Sequence, residues 1–175
     1  LGDNIFYGTG LQATLQDCIN PEGGIIFAYK VHNPERYGVV SFDASGKATS
    51  LEEKPKTPSS KFAVPGIYFY DNEVISIAKK INPSPRGELE ITDINKAYLQ
   101  NQKLQVQELD SGTAWLDTGT FTSLMKAAQF VQVLQERQGL RIGAIEEVAY
   151  QMGYINQEQH DTFISPFIKS GYAKR

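Results

Sequence analysis

The sequence predicts an α/β domain: a mixed β-sheet flanked by helices. Three observations carry this expectation. Residues 25–31 (IIFAYKV) form an apolar and aromatic run between Gly23-Gly24 and Asn33-Pro34, the pattern of a buried strand. Segments of this kind alternate with segments whose apolar residues recur at the 3.6-residue helical period. Residues 37–42 (YGVVSF) and 48–53 (ATSLEE) flank the turn Asp43-Ala44-Ser45-Gly46, so an antiparallel hairpin is expected within the sheet.

From the N-terminus, Leu1 reads as the last apolar residue of a buried strand and Gly2-Asp3-Asn4 as the turn after it. Gly8-Thr9-Gly10-Leu11 reads as a turn before a helix. After the hairpin, residues 55–60 (PKTPSS) form a loop, and residues 66–70 (GIYFY) form another buried strand. Asp71 is placed to cap a helix with Val74, Ile75, Ala78 and Ile81 on one face. Thr92 is placed to cap a second helix through Ala97 and Tyr98, and residues 104–109 (LQVQEL) alternate as a strand. Thr120 opens the longest helix, with Phe121, Leu124, Ala128, Val131 and Leu134 on one face and Gly139 as its stop. Residues 145–168 suggest two short helices broken near Gly153. The expected division is 1–139 for the main domain and 140–175 for a C-terminal helical segment.

Composition narrows the classes of function. The 175 residues suffice for one domain with a core, and 41% hydrophobic with 21% charged residues is ordinary for a globular chain. A net charge of −3 argues against a nucleic-acid binder, yet a phosphate pocket needs only a few local cations. Cys18 is the only cysteine, which rules out an intrachain disulfide and, with the two histidines far apart, a Cys/His zinc site. This fits a reducing cytoplasm. No apolar run approaches the roughly 18 residues a membrane span needs.

Ligands of open α/β sheets sit at the carboxyl ends of strands, and four stretches carry polar residues at such places. In Leu1-Gly2-Asp3-Asn4, Asp3 is either a turn aspartate bonding to its own backbone or a ligand for a hard cation. Residues 115–120 (WLDTGT) exceed what a helix cap needs: a Trp, Asp117, and a Gly that lets backbone approach closely. Asp3 and Asp117 could share one Mg²⁺, which takes one or two carboxylates plus water and substrate phosphates. In Glu52-Glu53-Lys54-Pro55, the proline is expected to keep Lys54 extended and strand alternation to send Glu53 and Lys54 to opposite sides. Lys54 is then a phosphate-holding point charge or part of a solvated charge cluster. Arg86 beside Gly87 suits bidentate phosphate binding, or is a solvated loop arginine. Residues 35–40 (ERYGVV) add Tyr37 and Gly38 at a strand start, as strand packing or as the wall of a sugar pocket.

In order and at these intervals, LGDNIFYG, FAYKVHNPERYGVVSFD, SLEEKP, GIYFYD, RGELEITDIN, AWLDTGT and QERQGL resemble the glucose-1-phosphate thymidylyltransferases, from Leu1 to at least Ile155. EEKP and the strand-end aspartate are shared across sugar-nucleotide pyrophosphorylases, whereas the whole series is specific to the thymidylyl branch. The resemblance implies a Rossmann-like nucleotidyltransferase fold, a mixed sheet flanked by helices and incomplete at the N-terminus. Such enzymes carry a glycine-rich triphosphate loop, G-G-x-G-T-R-L, and Gly8-Thr9-Gly10-Leu11 only echoes it without the arginine. The chain is therefore expected to be a fragment without turnover of its own.

The implied reaction joins dTTP and glucose 1-phosphate into dTDP-glucose with release of pyrophosphate, opening dTDP-sugar synthesis, dTDP-L-rhamnose included. The resemblance makes Asp3 and Asp117 the Mg²⁺ ligands, Lys54 and Arg86 the cations on the sugar phosphate, and Glu53 the partner of sugar hydroxyls. Tyr37, Gly38, Val64 and Tyr68 line the sugar side. It also implies a homotetramer and a second, regulatory nucleotide-sugar site near residues 146–150, where Gln151 replaces the usual basic residue. The alternative is a non-catalytic module of the same fold that senses a sugar nucleotide.

Overall fold

The computed structural model describes residues 2–139 and 141–170. Leu1, and with it the expected strand end, lies outside the described residues. The chain forms two compact units, Leu1–Gly119 and Thr120–Arg175.

The first unit is organised by β2 (Gly24–Lys30), whose apolar run is buried on both faces as a central strand requires. Ile26 and Ala28 pack with Val40, Leu51 and Val64 on one face, while Ile25 and Phe27 pack with Cys18 and Leu109 on the other. Each such side chain contributes roughly 1.5–3 kcal/mol by burial. The hairpin forms as expected: β3 (Gly38–Phe42) pairs antiparallel with β4 (Ala48–Glu53), and Asp43 accepts hydrogen bonds from the Ser45 and Lys47 backbone amides within the turn. β5 (Phe62–Ala63) joins β3 to β2, and β6 (Tyr68–Tyr70) runs antiparallel to β2. β7 (Leu104–Glu108) runs parallel to β2 and makes this six-stranded sheet mixed. Helices α2 (Glu73–Ala78) and α3 (Ile91–Gln100) separate β6 from β7 in the chain. The cap residue of α2 is Asn72, one later than expected; Asp71 stands before it and accepts from the Glu73 amide at 2.9 Å, and the helix stops before Ile81.

A two-stranded ribbon was not expected from sequence. Residues read as the end of a turn continue into β1 (Asn4–Tyr7), followed by α1 (Leu11–Gln16) after a left-handed Gly10. β1 pairs antiparallel with β8 (Ala114–Asp117). Four-residue strands carry too little alternation to be distinguished from loop.

In the second unit, α4 (Phe121–Gln138) has the expected ends. Thr120 and Ser123 form a reciprocal capping box, and Gly139 closes the helix at φ 66°. Its buried face differs from the expected one. Ala127 is fully buried, whereas Phe121, Leu124 and Ala128 are exposed. α5 (Ile145–Gln151) and α6 (Gln157–Ile164) are separated near Gly153, whose left-handed backbone ends the first. No helix among the described residues is long and apolar enough to cross a membrane.

Candidate active site

The ribbon brings two acidic side chains together. β1 and β8 are antiparallel with Asn4 opposite Asp117, so Asp3, just before one strand, lies at the same end as Asp117, the last residue of the other. The Thr118 amide and hydroxyl both donate to the Asp3 carbonyl, at 2.8 and 3.0 Å. Asn4 ties this end to its surroundings. Its Oδ1 accepts from Trp115 Nε1 at 2.7 Å and from the Gly66 amide at 3.2 Å, while its Nδ2 donates to Asp3 Oδ1 at 2.7 Å. A side-chain carbon on Gly119 would lie 3.0 Å from Asp117 Oδ1 and 4.0 Å from Asp3 Oδ2. Both carboxylates thus border one small space, which Gly119 leaves open. Two hard oxygen donors around such a space fit a divalent cation that completes its shell with water and phosphate.

Asp117 is engaged. Its Oδ1 accepts from the Gly119 amide at 2.9 Å, and its Oδ2 accepts from Arg36 Nη2 at 3.2 Å and from the Tyr37 hydroxyl at 3.4 Å. Tyr37 packs on Trp115 with ring centroids 4.9 Å apart. Burial raises the pKa of Tyr37, Arg36 opposes this, and the Asp117 charge adds to it, so the phenol stays a neutral donor.

A second corner forms where the hairpin opens. Gly38 faces Glu53 in the β3–β4 ladder, the Lys54 amide donates to the Tyr37 carbonyl at 3.0 Å, and the Val64 amide donates to the Gly38 carbonyl at 2.8 Å. Glu53 Oε2 accepts from the Thr92 hydroxyl at 2.5 Å. A carbon on Gly38 would meet that hydroxyl at 3.1 Å and Glu53 Oε2 at 3.3 Å, so glycine keeps the corner open. Lys54 departs from expectation: its φ is +42°, a left-handed turn rather than an extended residue. The turn brings Nζ to 4.0 Å from Glu53 Oε1 instead of sending the two side chains apart. Arg86 Nη1 stands 3.9 Å from the same oxygen and 3.5 Å from Glu90, and its Nη2 pairs with Glu88 at 2.8 Å. Tyr68 links the corners electrostatically. Burial, then the charges of Glu53 and Asp3, push its hydroxyl up to about 12.

The nucleotidyl transferase family profile matches residues 1–133. The chain belongs to the nucleotidyl transferase family. It is 57% identical over 172 residues to a glucose-1-phosphate thymidylyltransferase of Mycolicibacterium smegmatis and 48% identical over 175 residues to one of Neisseria meningitidis. These alignments cover 98% and 99% of this chain but 60% and 61% of those proteins, so the chain spans about three-fifths of their length. Among solved structures, a putative glucose-1-phosphate thymidylyltransferase of Bacillus anthracis in complex with sucrose superposes with a TM-score of 0.64 at 42% identity, covering 74% of this chain and 52% of that one. A UDP-glucose pyrophosphorylase complexed with UDP-glucose gives the same TM-score at 18% identity and supports the fold alone.

For a nucleotidyl transferase, the arrangement separates two tasks. One corner gathers two carboxylates that could hold a cation; the other sets two half-exposed cations beside a fixed carboxylate. Asp3, Tyr37 and Asp117 fall in the first corner, and Gly38, Glu53, Lys54, Val64 and Arg86 in the second, with Tyr68 sensing both. Sequence reasoning missed Arg36, Asn4, Thr92 and Glu90 as partners of these residues. Thr92 had been assigned to a helix cap, yet it lies inside α3, buried, with its hydroxyl on Glu53. A threonine at the expected helix start, one residue inside the observed one, is the trace this leaves in the sequence. Arg36 adjoins Tyr37 at a strand start, and that adjacency is its signal in the sequence.

Proposed function

We propose that the chain supplies the metal and sugar-phosphate part of a glucose-1-phosphate thymidylyltransferase. A phosphate oxygen of glucose 1-phosphate attacks the α-phosphorus of dTTP, dTDP-glucose forms and pyrophosphate leaves. The observation carrying this reading is the convergence of Asp3 and Asp117 on the space beside Gly119.

Asp3 and Asp117 would hold Mg²⁺, whose charge offsets the repulsion of two anions brought together. Lys54 and Arg86, each within 4.0 Å of Glu53 Oε1, would grip the sugar phosphate. Glu53, its other oxygen fixed by Thr92, would accept from sugar hydroxyls. Tyr37, Gly38, Val64 and Tyr68 would wall the sugar. The nucleophile is already an anion, so these groups position and neutralise rather than move a proton. The glycine-rich triphosphate loop is not among these 175 residues, so the chain alone should not turn over.

The same reading makes the whole protein a cytoplasmic homotetramer feeding dTDP-sugar synthesis, dTDP-L-rhamnose included. Residues 140–175 would then serve a second nucleotide-sugar site or subunit contacts. There Gln151 donates to Glu147 at 3.4 Å where relatives would offer a cation. Pyrophosphate release from dTTP and glucose 1-phosphate with Mg²⁺ tests the activity in the full-length gene product. Tight binding of dTDP-glucose without turnover in that product would instead favour a sensor.

A further inference from the structure

Resting on the metal reading above, we propose that Arg36 is the resting counter-ion of Asp117, weakening the site for a bare divalent cation until the cation arrives already bound to nucleotide phosphates. Asp117 is 82% buried by the exposure of its side chain, 18%, and a carboxylate so placed needs a partner. Arg36 provides it from a different segment, the 3₁₀ turn Pro34–Arg36, with Nη2 at 3.2 Å from Oδ2. The guanidinium is steadied over the Tyr37 ring, 5.5 Å from its centroid, and the Tyr37 hydroxyl donates to the same oxygen.

With the Gly119 amide on Oδ1, both oxygens of Asp117 are engaged. A cation entering the space beside Gly119, on the Oδ1 side, therefore meets a carboxylate whose charge is already offset by the guanidinium on Oδ2, and is itself repelled by that guanidinium. A cation carrying phosphates brings compensating partners: the guanidinium is a planar fork suited to phosphate oxygens. The second corner works differently. Arg86 is surrounded by Glu53, Glu88 and Glu90 and does not reach the cation site's carboxylates within any ion pair among the described residues.

Mn²⁺ binding to the 175-residue chain without nucleotide, followed by the loss of its free electron-spin resonance signal, tests this. Arg36→Gln and Arg36→Met, the latter keeping an apolar stem over Tyr37, should both tighten Mn²⁺ binding roughly two- to fivefold, the range a partly exposed ion pair supplies. Lys47→Gln, which removes equal charge at the turn end of the hairpin, should leave the affinity unchanged. Asp117→Asn should abolish binding. Equal or weaker Mn²⁺ binding by both Arg36 variants, with binding still lost in Asp117→Asn, overturns the counter-ion role and leaves the metal site standing. Tightening in Lys47→Gln by the same factor overturns it as well. Binding that ignores Asp117→Asn overturns the metal reading and this one together.

Discussion

The two corners each hold a carboxylate in place, but by different means. Glu53 is oriented by a neutral, buried hydroxyl, while its cations stand back at 3.9–4.0 Å. Asp117 is held by a cation in direct contact, with a phenol beside it. A neutral donor fixes direction and leaves the charge available; a cationic one also cancels charge. The Glu53 corner therefore presents an acceptor of fixed direction with two half-exposed cations close by. The Asp117 corner is built to hold negative charge in reserve.

Substitutions can break this contrast one contact at a time. The largest effect is expected from Asp117→Asn, which keeps shape and removes charge: turnover of the intact enzyme should fall by about a thousandfold, with unfolding midpoints little changed. Lys54→Gly separates chemistry from strain. Glycine takes the φ of +42° without penalty, so denaturant unfolding should show a gain of about 1 kcal/mol. Loss of the ammonium should lower kcat/KM for the sugar phosphate by about a hundredfold. Gly38→Ala crowds Thr92 and Glu53, and should raise KM for glucose 1-phosphate about tenfold while destabilising by about 1–3 kcal/mol. Thr92→Val removes only the donor that aims Glu53, and a fivefold loss of kcat/KM, about 1 kcal/mol, is expected.

The smallest effect lies outside both corners. The Tyr98 hydroxyl, then the amides of Glu73 and Gly23 with Lys103, lower the pKa of Asp71. A lowered carboxyl contributes stability that is full above the unfolded value of about 3.9 and fades as pH falls through the lower folded value. Urea midpoints between pH 6 and 3 should therefore fall more steeply in the natural chain than in Asp71→Asn.

The sequence revealed elements whose signals are local. The run at residues 25–31, the Asp43–Gly46 turn and the Thr120 and Gly139 caps each follow from a few adjacent residues and formed as expected. The ribbon did not, because β1 and β8 are defined by each other across more than a hundred positions, not by their own composition. Lys54 was misjudged for a related reason. A following proline disfavours the right-handed helical region but leaves the left-handed one open, and the ladder to Tyr37 selects it. The face of α4 was assigned by period alone, and the period fixes a spacing without saying which apolar stripe meets a partner. At the site, the residue types were legible, while their partners, Arg36 on Asp117 and Thr92 on Glu53, exist only in three dimensions.

The pairing of Asn4 with Asp117 has a consequence for how the proposed cation site would be lost. In a ladder, slippage by a single position sends every side chain to the opposite surface. A misthreaded molecule would thus lose its cation grip outright rather than by degrees, and a population containing such errors would behave as a mixture of fully competent and silent copies.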